Sequence, residues 1–256
     1  MLKDSVNITE FVMQLHTATT LDEAFAIYDK QVQNLGFEGA IYAFIPRLQL
    51  ETQLQLSPLF KISESRNPAF IKHYHEARLE QHDFTLHHVL KGNMTPLDWG
   101  TEAKKGTLNA AENNLLTLAR EDYGIRHGIS MCTMFDEIGI AGASVVSTEA
   151  DHIYQKLVDE RLNTLRVCIE IFHAHLMLKP HFFYYFLIPL LENLTPKEKK
   201  LLRFIAEGRP MKSSGIPDIT YRYSDKLMQN IRAKFGGISK GRLIYYIGLL
   251  RLLNYL

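Results

Sequence analysis

Residues 128–147 constrain the fold more than any other stretch of this chain. Gly128 to Phe135 and Ile140 to Ser147 are two apolar runs joined by the turn Asp136-Glu137-Ile138-Gly139. Runs so closely spaced pair antiparallel, because a parallel return needs a crossover of about a dozen residues. The faces of such a sheet must be covered, and segments of helical periodicity flank it. Asn7 caps a first helix with Ile8, Phe11, Val12 and Leu15 on one side. Thr20 and Glu23 form a capping box for a second, which carries Leu21, Ala24, Phe25, Tyr28 and Val32 and ends at Gly36. Gly39 to Ile45 reads as a strand closed by Pro46. A helix is expected over 68–78, with Phe70, Tyr74 and Ala77 on one side. Another is expected over 103–122, with Leu108, Ala111, Leu115 and Leu118 inward. A long one over 151–178 buries Leu157, Leu162, Leu165, Ile169, Phe172 and Leu176, and Pro180 stops it. The fold class is α+β: an N-terminal α/β/α sandwich with an antiparallel sheet over 1–178.

The chain changes character after an apolar linker at 179–193. Residues 191–256 hold 13 Lys and Arg against 5 Asp and Glu, a net +8, while the preceding 190 residues hold 16 against 23, a net −7. The whole-chain charge of +1 conceals this split, which points to two functional units, the basic one suited to a polyanion. Leu194-Thr195-Pro196-Lys197-Glu198 is a helix start, with Thr195 as N-cap, Pro196 at the first helical position and Glu198 closing the box. Gly208 ends that helix; others are expected over 223–235 and 240–253. About sixty residues of basic helical bundle is the size of a helix-turn-helix module.

With 46% hydrophobic and 22% charged residues the composition is that of a soluble globular protein. The N-terminus lacks a signal-peptide pattern, and His181 to Leu190 is too short to span a bilayer. Cys132 and Cys168 form neither metal spacing nor a disulfide framework, so a cytoplasmic protein is expected.

The C-terminal pattern Leu194, Thr195, Glu198, Leu202, Ala206, Gly208, continued by Ile231, Lys234, Phe235, Gly236 and Arg242, resembles the LuxR-type helix-turn-helix over 194–253. The resemblance implies an all-α DNA-binding domain over 194–256. Arg222, Ser224, Lys226 and Asn230 would then meet base edges or flanking phosphates, and Arg232, Lys234 and Arg242 phosphates. Pro210, Gly215 and Pro217 lie where that family has a regular support helix, and prolines disfavour one.

The N-terminal 5–178 resembles the acyl-homoserine-lactone-binding domain of the same quorum-sensing regulators. Tyr74 is followed nine positions later by Asp83, then by Pro96-Leu97-Asp98-Trp99 and Gly128. The resemblance implies that Asp83 accepts from the ligand's amide N–H and that Trp99 packs on its head group. Thr85, Ser130 and Ser144 are expected at the polar end, Tyr74 and Phe70 beside them. Phe70 stands where the family has an N–H-donating tryptophan, Arg66 where it has a tyrosine, and Phe84 where it has a proline. Val145 aligns with a family serine, with Ser144 and Ser147 as neighbouring substitutes. Asp83 also reads, by itself, as a helix cap.

Five histidines between His73 and His88 invite a metal reading, but His73 and His75 at i and i+2 face different sides of a helix. No metal or other cofactor is expected. Asp83 with His82 and His87, or Cys132 alone, would be the acid–base or nucleophilic groups of an enzyme. No nucleophile elbow, phosphate loop or dinucleotide fingerprint accompanies them, and no catalysis is expected. The expected partners are a small signal molecule, DNA and a second copy of the chain. Two alternatives stay open: a sensor whose altered basic module acts through protein contacts, and a receptor for a non-lactone signal.

Overall fold

Capped helices alternate with strands along the first two thirds of the chain, and their boundaries follow the local signals. The computed structural model describes residues 7–51, 59–63, 68–209, 216 and 219–256. Helices α1 (Ile8–Thr17) and α2 (Leu21–Asn34) begin at Asn7 and Thr20, whose side chains accept the free backbone N–H groups of Glu10 and Glu23. Strand β1 (Gly39–Pro46) follows, then α3 (Arg47–Glu51), β2 (Leu59–Ile62) and α4 (Pro68–Glu76). A 3₁₀ turn (Leu79–His82) leads into α5 (Phe84–Leu90), β3 (Leu97–Asp98), α6 (Trp99–Lys104) and α7 (Ala110–Glu121). The hairpin β4 (His127–Phe135) and β5 (Gly139–Ser147) and the long α8 (Asp151–Leu178) complete this part.

The five strands form one antiparallel sheet in the order β2-β1-β5-β4-β3, with the expected hairpin pairing between β4 and β5. In β1 the side chains alternate. Tyr42 meets Phe172 of α8 edge-on at 5.3 Å, and Phe172 in turn stacks on Tyr28 of α2 at 4.4 Å. Ile41 and Ala43 face the other way, into a cavity closed by α4, α5 and α7. This is the period-2 consequence of a sheet with helices on both faces.

Three expectations are corrected. The helix expected over 103–122 is two, because Gly106 takes a left-handed φ of 69° and Asn109 opens a new capping box with Glu112. Strands β2 and β3 were not foreseen; at four and two residues they are too short for a periodic signal. In α8, Leu157 and Leu162 are only half-buried, while Tyr154, Cys168 and His175 join the buried stripe.

The chain divides into two compact units, one of Met1–Phe44, Pro58–Phe135 and Ile140–Phe182, the other of Ile45–Ser57, Asp136–Gly139 and Phe183–Leu256. The expected linker is largely helical: α9 (Pro180–Tyr184), a 3₁₀ turn (Tyr185–Leu187) and α10 (Ile188–Glu192). Its Phe182, Phe186, Leu187, Leu190 and Leu191 are buried, which explains why it is so apolar. In the second unit α11 (Pro196–Ala206), α12 (Tyr221–Lys234) and α13 (Lys240–Leu249) pack through Leu202, Ile205, Leu227, Ile231, Leu243 and Ile247. Helix α12 starts two residues before the expected Tyr223, because Thr220 is its cap, and α13 stops at Leu249 rather than 253. The proline-flanked stretch 210–218 lies, apart from Ile216, outside the described residues, as does Arg66.

Candidate functional site

Asp83 fulfils the capping role and more. As N-cap of α5 it holds three donors on Oδ1: Thr85 N at 2.8 Å, Thr85 Oγ1 at 2.7 Å and Leu86 N at 3.1 Å. Its other oxygen, Oδ2, accepts from the Tyr74 hydroxyl at 2.8 Å. The nine-residue spacing therefore reflects a real contact between α4 and the start of α5. Burial and then the adjacent Asp83 charge push the Tyr74 phenol far above its ordinary range, so it remains a donor at every physiological pH. Four donors leave the carboxylate fixed in direction, with lone-pair capacity still open on Oδ2.

Trp99 is positioned from three sides. Asp98 caps α6 by accepting from Thr101 N at 2.6 Å, and its second oxygen takes the Tyr154 hydroxyl at 2.6 Å. The indole lies on Gly128, where a Cβ would stand 2.5 Å from ring carbons, so only glycine fits beneath it. The indole N–H donates to Ser130 Oγ at 2.9 Å, and that oxygen is 2.7 Å from Ser144 Oγ. Ser130 and Ser144 are direct cross-strand partners in the β4–β5 ladder. This register places Ser144, not Val145, on the site face, whereas Val145 is fully buried. Phe70 meets Tyr123 edge-on at 5.0 Å, and Tyr123 shares a hydrogen bond of 2.9 Å with His73.

These side chains bound one cavity of about 100 Å³. Phe70, Tyr74, Asp83, Thr85, Trp99 and Ser144 all line it, and the fully buried Ser130 sits behind as the link between Trp99 and Ser144. The rest of the wall is apolar; Phe60 of β2 and Leu116 of α7 had no signal in the sequence that could have marked them. One anchored carboxylate and a hydroxyl pair in an apolar shell can orient a small amphiphile. Among the described residues no cluster of His, Cys, Asp and Glu could hold a metal ion.

The sequence pattern of the autoinducer binding domain matches residues 20–176, well over half of the chain. The chain belongs to the autoinducer-binding family. That family is one of LuxR-type quorum-sensing regulators, not of enzymes. No curated protein matches the sequence. Among solved structures, Escherichia coli SdiA is 17% identical with a TM-score of 0.58, over 96% of this chain and 97% of that one. SdiA in complex with octanoyl-rac-glycerol is 16% identical with a TM-score of 0.55, over 98% of each chain. CepR2 from Burkholderia cenocepacia, an N-acylhomoserine-lactone-dependent LuxR family transcription factor, is 16% identical with a TM-score of 0.50, over 68% of this chain and 94% of that one. At these identities the likeness is one of fold.

In this autoinducer-binding protein the basic second unit presents Arg222, Lys226 and Asn230 exposed along α12, at the i, i+4, i+8 positions of one face. Ser224 departs from expectation. It is 2% exposed and donates to the Tyr221 carbonyl at 2.6 Å, because a helix starting at Tyr221 puts Ser224, Leu227, Met228 and Ile231 on its inner stripe. Arg232 donates to the Ile238 carbonyl at 2.8 Å, and Lys234 bridges Glu198 at 2.6 Å and the Asn193 carbonyl at 2.7 Å. Arg242 forms a bidentate pair with Glu51, at 2.6 and 3.0 Å, and stacks against Tyr245 and Tyr246. Its guanidinium holds the Glu51 carboxyl below the usual carboxylate range. Among the described residues no helix is long and apolar enough to cross a membrane.

Proposed function

We propose that this quorum-sensing regulator is a cytoplasmic, ligand-responsive transcription factor whose sensor part, residues 1–178, takes a small acylated signal and whose residues 194–256 bind DNA. The observation that carries the reading is the Asp83 carboxylate, fixed by four donors in the wall of a largely apolar cavity that Trp99 also lines. A ligand amide or hydroxyl donates to Asp83 Oδ2, its head group packs on the indole, and its chain lies among the apolar walls. Arg222, Lys226 and Asn230 are the residues that meet DNA, and a homodimer presents two such helices to two half-sites.

The head group has a second reading, a receptor for a non-lactone acyl signal. It is favoured by Phe70, which has no donor, and by the Trp99 N–H, which already donates to Ser130. An unmet lactone carbonyl would cost about 1–3 kcal/mol. The octanoyl glycerol held by SdiA shows the chemistry of such an alternative, an acyl chain on a hydroxyl-bearing head. Melting curves of the full chain with N-octanoyl homoserine lactone and with octanoyl glycerol decide between them, since a ligand of the native state raises the midpoint. The wild-type shift should shrink in Asp83→Asn, which keeps the cap but removes the anionic acceptor. No shift with either compound would count against the acyl reading.

A further inference from the structure

The cavity that Trp99 lines, at about 100 Å³, is smaller than the roughly 300–1,000 Å³ of ordinary small-molecule sites. A second basin of about 600 Å³ lies in the same unit, and Phe84 lines both. Helix α7 runs past the two in succession. Leu108, just before it, and Glu112 in its first turn face the outer basin, and Leu115, Leu116 and Ala119 in later turns face the inner cavity. Helix α5 does the same, with His87, His88 and its C-cap Lys91 on the outer basin and Leu86 and Val89 on the inner cavity. The Phe84 side chain, 7% exposed at the first position of α5, therefore borders both cavities.

The outer compartment differs in chemistry from the inner one. Its carboxylates already have partners. Glu112 accepts from Asn109 N at 2.9 Å and lies 3.7 Å from His87 Nδ1, while Glu102 is held by Lys105 at 2.6 Å and by Thr107. His88 Nε2 shares a hydrogen bond of 2.8 Å with the Thr95 carbonyl. Lys91 is exposed and has no ion pair among the described residues, which leaves a cation at the rim.

We propose that Phe84 is a movable partition and that the full site takes an amphiphile whose apolar body crosses the Phe84 position and whose anionic terminus reaches the outer basin at Lys91. This rests on the ligand reading above for the inner cavity and adds the class of molecule that fills the rest. Displacing the ring leaves the α5 cap in place, since Asp83 is held by the backbone N–H groups of Thr85 and Leu86 and not by the Phe84 side chain.

Anilinonaphthalene sulfonate, a fluorescent probe with an apolar body and an anionic end, tests the slot without assuming a lactone head. With the full chain, Phe84→Ala should tighten saturable binding of one dye per chain by about tenfold, a difference of about 1.4 kcal/mol. Lys91→Ala in that background should reverse the gain. A cooperative melt must accompany each variant, because the dye also binds loosely packed states. If Phe84→Ala melts without a cooperative transition, Phe84→Leu is read instead, with a smaller gain in the same direction. Dye affinity unchanged by removal of the ring overturns the partition, and affinity indifferent to Lys91 overturns the anionic terminus. If the dye results are as expected while neither octanoyl compound binds the wild type, the acyl reading falls and the slot stands.

Discussion

Gly128 shows how one missing side chain sets the site. The space a Cβ would need is already filled by the Trp99 ring, at 2.5 Å from the nearest of its carbons. Gly128→Ala must therefore drive the indole off its bed and break its hydrogen bond to Ser130. The expected result is a loss of about 1–3 kcal/mol in stability, typical of overpacking, seen as a lower midpoint in urea. Any ligand-induced rise in melting temperature should vanish in the same variant. Tyr74→Phe is milder in volume but removes the donor to Asp83 Oδ2. It should weaken ligand binding while Asp83 still caps α5, so the far-ultraviolet spectrum stays unchanged.

At the scale of elements, α8 carries a pH signature. His175 is buried, its Nε2 has no hydrogen-bond partner among the described residues, and it faces His16 and Phe182 with Lys179 one turn on. Burial, followed by the Lys179 and His16 charges, lowers its pKa from 6.5 to about 4. As pH falls below 6.5 the unfolded chain takes up the proton before the folded one does, so stability is full above that value. It should decline between pH 6.5 and 4 and lose no more from this group below. His175→Phe should flatten that part of a melting-temperature profile. The helix starts behave more simply: Thr195→Ala, which removes the N3 partner of the α11 capping box, should cost about 1 kcal/mol in a denaturant titration.

For the whole molecule, the charge split predicts salt-sensitive association with DNA, with or without sequence preference. Lys226→Ala should reduce the slope of log affinity against log salt by about 0.9 if Lys226 neutralises one phosphate. Glu51→Gln should have the opposite sign. The Glu51 carboxylate is the partner of Arg242, so its loss frees a guanidinium for a phosphate and steepens the slope. Fluorescence anisotropy on a random duplex across a salt series measures both. Sedimentation at micromolar concentration with ligand tests the homodimer; a 29.5 kDa species would exclude it.

Much of this was legible in the sequence because it is local. Capping boxes at Thr20 and Thr195, the β4–β5 hairpin and the 28 residues of α8 depend on neighbours a few positions apart, whereas Tyr74 and Asp83 stood out only through the family resemblance and their contact through the structure. Pattern reading reaches such distances, since backbone sterics and solvent preference act along the chain. What the sequence could not supply depends on register and on pairs far apart. Whether Ser144 or Val145 faces the site is a matter of one residue in the β4–β5 ladder, and a slip of one would exchange them. The inward turn of Ser224 followed from where α12 starts, two residues earlier than its periodicity suggested. The place of Phe84 on the edge of two cavities and the pairing of Glu51 with Arg242 across 191 positions were decided by packing alone, because no local rule acts on side chains brought together only when the chain closes on itself.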